Sequence, residues 1–286
     1  MTVKKRPKQK GIMKAKPLTQ NLLKQIGPLC IAQRKLRGQH CRVMWTNGLP
    51  ILISSYGIPF SYLEHIQKEL LTLPHFPWVG ELYNHNMSQE QINSILNRTT
   101  NRHPDSEKIS FHIFDLASSE PQWQRLMNRD WELRNLPESS SLHSVDYYLI
   151  QTSDWQSYCT KFLSEGYEGI ILRSQTAPYA PLDIHADLKR PSAMLKFKPN
   201  EKDTYEIIGF REGEGWCSGM LGAFQVRGED TSPFWVGTGP ELTKEKRQAY
   251  WAKRNELIGM SLVVKHEPIK TTTGLPICTS AYKVVK

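Results

Sequence analysis

The sequence predicts an α+β chain of two domains, and three observations carry that reading. Apolar runs of strand length pair across a hairpin signal, Thr46-Asn47-Gly48, between Cys41–Trp45 and Leu49–Ser54. Amphipathic helices with clear start and stop residues lie among the strands of the first 200 residues. From Tyr205 onward the texture changes to short strands, glycine-rich turns and one helix, which sets a boundary close to Pro199–Asp203. The 286 residues suffice for two domains of ordinary size. The expected organisation is a basic flexible tail over 1–17, a first domain over 18–200 and a second over 201–286.

The elements follow in chain order. Thr19–Ile26 is a short helix with Leu22, Leu23 and Ile26 on one face. A strand begins at Cys30–Ala32, breaks at Gly38 and resumes through Cys41–Trp45. Leu63, Ile66, Leu70 and Leu73 stand in helical register over Ser61–Leu73. Ser88-Gln89-Glu90-Gln91 is a capping-box pattern, opening a helix that buries Ile92, Ile95 and Leu96. Ile109–Leu116 alternates as a strand does. A helix from Ser153-Asp154 buries Trp155, Tyr158, Phe162 and Leu163, stops at Gly166, and leads into the strand Gly169–Arg173. Met194–Lys198 is another strand, with Lys196 and Lys198 on one side of it. Thr243–Leu257 is the helix of the second domain.

Composition narrows the classes of function. Hydrophobic residues make up 39%, enough for real cores, and no apolar run is long enough to span a membrane. The five cysteines are odd in number, scattered and without a CxxC pair, which fits a reducing, intracellular setting better than a disulfide or zinc framework. The net charge of +9, from 37 basic and 28 acidic residues, favours a polyanionic partner. Lys4, Lys5, Arg6, Lys8, Lys10, Lys14 and Lys16 precede any acidic residue. As a flexible arm they would gain affinity for nucleic acid by releasing counterions.

The candidate chemistry centres on Lys35, in Gln33-Arg34-Lys35-Leu36-Arg37-Gly38 between two strands. A lysine is nucleophilic only when deprotonated, a state that burial or neighbouring cations favour. Gly38 permits close approach of backbone to a phosphate. Downstream come Gly80-Glu81-Leu82-Tyr83, then Ile113-Phe114-Asp115-Leu116, then Glu168-Gly169-Ile170-Ile171-Leu172-Arg173, and finally Met194-Leu195-Lys196-Phe197-Lys198-Pro199.

That ordered series resembles the motifs of the covalent nucleotidyltransferases, which include DNA ligases, RNA ligases and mRNA capping enzymes. Their pattern runs KxDG, DGE, a strand ending in Phe-Asp, EGxxxR and KxK. Phe234-Trp235-Val236-Gly237-Thr238-Gly239, the helix around Arg247–Trp251, Ile258-Gly259 and Lys265-His266-Glu267 resemble the second domain of small viral and bacterial ATP-dependent DNA ligases. The resemblance covers about Leu18 to Lys286. It implies an adenylyltransferase domain with antiparallel sheets, followed by an OB-fold β-barrel.

What the resemblance implies can be stated residue by residue. Lys35 takes AMP from ATP, Glu81 holds the ribose, Phe114 stacks on adenine and Gln33 reads its edge. Glu168, with Glu81 as a second candidate, binds Mg²⁺, or Mn²⁺ in its place. Lys196 and Lys198 neutralise phosphate charge, and His40 and Arg42 also contact the nucleotide. Arg37, Arg42 and Arg173, with Lys4, Lys5 and Arg6 of the tail, are the DNA contacts. The implied partner is nicked duplex DNA, met by a monomer in the cytoplasm of a bacterium or a virus-infected cell. The alternatives are RNA ligation, capping-type transfer, or a weakly active or non-catalytic nick-binding clamp.

Four positions depart from the pattern. Arg37 stands where the motif has Asp after the lysine, and His40 where it has Arg. Val79 replaces the Asp of DGE, and Gly274-Leu275-Pro276-Ile277-Cys278 lacks an arginine, with Lys283 and Lys286 the nearby cations. An ordinary histidine titrates near neutrality, so the phosphate grip of His40 is expected to vary with pH.

Overall fold

The computed structural model describes residues 8–229, 231–267 and 274–285. Lys4, Lys5, Arg6 and Lys286 lie outside that set. The chain divides into two compact units, with the break between Phe197 and Lys198.

The first unit holds two five-stranded sheets. One is built from β1 (Lys16–Pro17), β2 (Leu29–Lys35), β8 (Tyr147–Gln151), β9 (Gly169–Arg173) and β10 (Met194–Phe197), in the order β1-β10-β9-β2-β8. Only the β1–β10 pairing is parallel. Helices α1 (Gln20–Ile26) and α5 (Trp155–Ser164) cover it, burying Ile26, Trp155, Cys159 and Phe162 against Cys30, Ala32, Ile170, Leu172 and Leu195. Thr19 caps α1 by accepting the Leu22 N–H, and Gly166 ends the α5 segment at φ 87°.

The second sheet runs β4-β3-β5-β6-β7, from β3 (Gln39–Thr46), β4 (Leu49–Ser54), β5 (Trp78–Tyr83), β6 (Ser110–Leu116) and β7 (Leu142–Ser144). Asn47 and Gly48 adopt φ 51° and 77°, the left-handed pair that a tight hairpin between right-twisted strands requires. Helices α2 (Glu64–Leu70) and α3 (Gln89–Leu96) bury Ile66, Leu70, Ile92 and Ile95 on it. Both partners of the Ser88/Gln91 capping box are in place. The helix expected over Ser61–Leu73 is shorter at each end; Tyr62, at φ 62°, keeps its first residues out of it.

One helix went unread. In α4 (Gln122–Leu133) the buried face carries Gln122, Arg125, Leu126, Arg129 and Leu133, while Trp123, Met127 and Trp131 point outward. The polarity is inverted because Asp115 lies buried beneath it. Arg125 donates to both Asp115 oxygens (2.8 and 3.2 Å), Arg173 to Oδ2 (3.0 Å), and Gln122 and the Leu116 N–H to Oδ1 (3.0 and 2.8 Å). A carboxylate so bonded offsets the cost of burying it together with two guanidinium groups.

The expected flexible tail is replaced, from Lys8 onward, by packed chain. Ile12, Met13 and Ala15 are buried, and β1 pairs with β10. The reason is the apolar residues among the lysines: Met13 and Ala15 pack with Val79, Ala117, Tyr179 and Met194.

The second unit is a five-stranded antiparallel sheet in the order β13-β12-β11-β14-β15. Its strands are β11 (Glu201–Glu212), β12 (Leu221–Arg227), β13 (Phe234–Val236), β14 (Ser261–His266) and β15 (Ser280–Val285), with α6 (Lys244–Ala252) against β12. Its edges meet just after β13. The Ala281 N–H donates to the Thr238 carbonyl (2.7 Å) and the Glu241 N–H to that of Ala281 (3.2 Å). The expected barrel therefore closes through a few backbone bonds, with no strand ladder recorded between β13 and β15 among the described residues. The helix expected to reach Leu257 ends at Ala252 and continues as a 3₁₀ turn.

The Asp115 cluster makes a stability prediction. Arg125→Ala takes one of two guanidinium partners from the buried Asp115 and is expected to cost about 3 kcal/mol in urea unfolding. A loss below about 1 kcal/mol would contradict the role given to this network.

Candidate active site

Both sheets of the first unit line a cavity of about 740 Å³. Gln33 and Lys35 come from β2, His40 from β3, Glu81 from β5, Phe114 from β6, Arg173 from β9, and Met194 and Lys196 from β10.

Register sets the centre. Lys35 lies opposite Gly169 in the β2–β9 ladder, and the Glu168 N–H donates to the Lys35 carbonyl at 3.0 Å. The side chains consequently meet, Lys35 Nζ in direct contact with Glu168 Oε2. Glu81 lies on the other sheet, with Oε1 accepting from the Gly38 N–H at 3.2 Å. A Cβ at Gly38 would sit 2.2 Å from the Leu82 carbonyl oxygen, so the motif glycine is required by close backbone approach. Burial pushes the Glu81 carboxyl up to about 7, against the pull of the Lys35 ammonium and the Gly38 N–H.

The base-sized end is built differently. Gln33 is buried; its Nε2 donates to the Phe114 carbonyl at 3.2 Å, while Oε1 has no hydrogen-bond partner among the described residues. An orphaned acceptor inside a cavity suits a ligand amine. Arg173 sits 5.2 Å from the Phe114 ring centroid, and the His40 ring is 6.0 Å from it. Glu81 lines the cavity and Glu168 touches the Lys35 amine, so these are the two candidate carboxylates for a metal; no group of three or more candidate metal ligands exists among the described residues. Two carboxylates fit Mg²⁺ that draws its other ligands from phosphate oxygens and water.

Several expected contacts fall elsewhere. Arg42 is buried with its guanidinium on the carbonyls of Gly11 (2.9 Å), Pro181 (3.4 Å) and Leu182, and it does not line the cavity. Arg173 is spent on Asp115, so it forms pocket wall rather than a surface for DNA. Lys198 lies beyond the end of β10, in the second unit, where it pairs with Glu267. Arg37 occupies the β2–β3 connection outside the cavity lining. His40 does line the cavity, but burial and the neighbouring Lys14, Arg42 and Arg173 push its imidazole down to about 3. It is therefore neutral at pH 7 and not the neutral-range switch expected of it. The N-terminal segment supplies unforeseen lining residues: Gln9, Ile12, Met13, Lys14 and Ala15. The signal for them was Ile12-Met13 and Ala15 interrupting the lysines.

Comparisons with known proteins bear on the fold. A DNA ligase of African swine fever virus is 27% identical over 267 residues, covering 86% of this chain and 61% of the viral protein. A solved structure of the Lig E DNA ligases superposes with a TM-score of 0.75 at 20% identity, covering 96% of this chain and 98% of that one. The ATP-dependent DNA ligase of bacteriophage T7, in complex with ATP, gives 0.54 at 14% identity, covering 96% and 98%. The fold is that of ATP-dependent DNA ligases. No protein-family model matches the chain, which spans about three fifths of the length of the viral ligases it resembles. No described helix is long and apolar enough to cross a membrane.

The buried imidazoles give a pH prediction. His40 and His112 both have pKa values pushed down to about 3, chiefly by burial. Their unfolded values lie near ~6.5, so between about pH 6.5 and 3 the unfolded chain binds protons that the folded chain refuses. Stability is expected to fall as pH drops through that window, by up to about 1.4 kcal/mol per pH unit for each histidine. The raised Glu81 carboxyl opposes this above about pH 4.5, but it is one group against two. Urea unfolding of His112→Gln between pH 6.5 and 5 checks it: the slope should be shallower than in wild type, and an unchanged slope would contradict the assignment.

Proposed function

We propose that the chain is an ATP-dependent DNA ligase that seals nicks with a 3′-hydroxyl and a 5′-phosphate through a lysyl adenylate on Lys35. The observation that carries the reading is the contact of Glu168 with the Nζ of Lys35, which lines a cavity together with Glu81, Phe114 and Lys196.

The chemistry follows from that arrangement. The Lys35 ammonium must lose a proton before its lone pair can reach phosphorus, and Glu168 is the carboxylate in contact to receive it. The new P–N bond forms as the bond from the α-phosphorus to pyrophosphate breaks. Lys196, on the neighbouring strand, lines the same cavity and would neutralise the departing charge. Phe114 offers an aromatic face and Gln33 an acceptor for the exocyclic amine of adenine. Mg²⁺, held by Glu168 or Glu81 together with phosphate oxygens, would supply Lewis-acid polarisation of the phosphate. AMP then passes to the 5′-phosphate of the nick. The 3′-hydroxyl oxygen displaces it, forming the phosphodiester and releasing AMP.

Duplex DNA is the favoured substrate because the relatives named above are DNA ligases and the chain carries a net charge of +9. A capping-type or RNA-sealing activity, or a clamp without catalysis, makes different predictions in one experiment. With ATP and Mg²⁺, after pyrophosphate treatment to strip AMP carried from expression, mass spectrometry should show one added AMP, and a nicked DNA duplex should be sealed. Label from GTP would point to capping, and sealing confined to nicked RNA to an RNA ligase. Lys35→Ala should abolish both label and sealing, a loss of at least roughly 10³-fold for a removed nucleophile. Sealing that survives this substitution would refute the mechanism.

A further inference from the structure

On this reading Lys196 is one cation at the phosphate end of the cavity, and other basic groups on its walls are committed elsewhere. Arg34 is held by Asp146 and Glu165, and Arg173 by Asp115. Lys35 gives up its charge when it forms a bond to phosphorus. The N-terminal segment brings one more basic group to the cavity wall, Lys14. We propose that Lys14 is a phosphate-binding residue of this pocket, gripping the phosphate of the bound nucleoside monophosphate alongside Lys196.

The backbone that carries Lys14 is clamped on all sides. The Met13 N–H donates to the Tyr179 hydroxyl (3.1 Å), the Lys14 N–H to the Lys189 carbonyl (2.9 Å) and the Gly11 N–H to that of Ala186 (2.8 Å). Gly11 sits at φ 62°, and a Cβ there would come within 2.3 Å of the Ile184 carbonyl oxygen. Met13 and Ala15, on either side of Lys14, pack with Val79 and Met194, which turns the side chain between them the other way. The valine in place of the motif Asp thus forms part of the seat for this segment.

The ammonium is held but not saturated. Of its three N–H groups one goes to Gln9 Oε1 (3.1 Å), and Gln9 is itself tied through Nε2 to Ser55 Oγ (3.3 Å). That leaves donors for a phosphate oxygen. Lys14 lines the cavity together with Lys35 and Glu81, near enough for their charges to act on it, which places it at the reacting end. Arg190, the other cation that it feels, is directed at the Ala15 carbonyl and does not line the cavity. A cation fixed beforehand on a rigid wall loses little entropy on binding, which makes the contact effective.

The proposal rests on the nucleotide-binding reading, and a comparison of two ligands separates them. The full chain, freed of AMP by pyrophosphate, is titrated calorimetrically with AMP and with adenosine. Lys14→Met should weaken AMP about tenfold, the effect of one lost charge-assisted hydrogen bond, and change adenosine by less than about twofold. Lys14→Arg, which keeps the charge, should retain most of the AMP affinity. Unchanged AMP binding by Lys14→Met overturns the assignment, and so does an equal loss for both ligands, which would mark damage to the wall; either result leaves the nucleotide site standing. A wild-type chain that binds neither AMP nor adenosine refutes the site and Lys14 together.

Discussion

The register between β2 and β9 is the constraint on which the site depends. It places Lys35 opposite Gly169, so that Glu168 meets the amine through a contact no other pairing would make. A slip of one residue would turn every side chain of β2 to the other face, exposing Cys30 and Ala32 and burying charge. The core beneath the sheet therefore holds Lys35 and Glu168 in place. Phe162 and Trp155 of α5 pack on Ala32, Ile170 and Leu172, and this apolar layer selects the alignment that the polar pair uses. The pair itself is half-buried, and its value lies in placement more than in stability.

A second polar centre ties the remaining walls together. Asp115 follows Phe114 one residue before the end of β6, and Arg173 ends β9 four residues after Gly169. Joining the two through Asp115 and bracing them with Arg125 from α4 fixes the aromatic wall relative to the strand that carries the register. This is why the surface of α4 is apolar and its interior charged. Satisfied buried networks of this kind specify one arrangement, because any rearrangement leaves a charge unpaired.

Much of this was legible in the residues, and the exceptions have physical causes. Hairpin chemistry at Asn47-Gly48, the capping box at Ser88 and the periodicity of α5 read directly, since local chemistry decides them. Lys35, Glu81, Phe114, Glu168 and Lys196 came from an ordered series of motifs; four of them line one cavity, and Glu168 touches the Lys35 amine. Helix α4 was missed because periodicity arguments assume an apolar buried face, and here Arg125 and Arg129 occupy it. Arg42 and Lys198 were expected at phosphate from the resemblance, Lys198 as the second lysine of KxK; the backbone carbonyls around Arg42 and the Glu267 partner of Lys198 are set by tertiary contacts that spacing does not encode. The same holds for the N-terminal segment, whose lysines masked the three apolar residues that anchor it.

The departures Arg37, His40 and Val79 now divide by location. Val79 is packed under the N-terminal segment, His40 is a neutral wall residue, and Arg37 lies outside the cavity lining. None removes the amine, its carboxylate partner or the aromatic wall. The central claim is that one amine, among several lysines nearby, becomes bonded to phosphorus. Peptide mapping of the chain after reaction with ATP tests it most directly. The account predicts AMP on the peptide containing Lys35, in an acid-labile P–N linkage; AMP on Lys14 or Lys196 instead would contradict it.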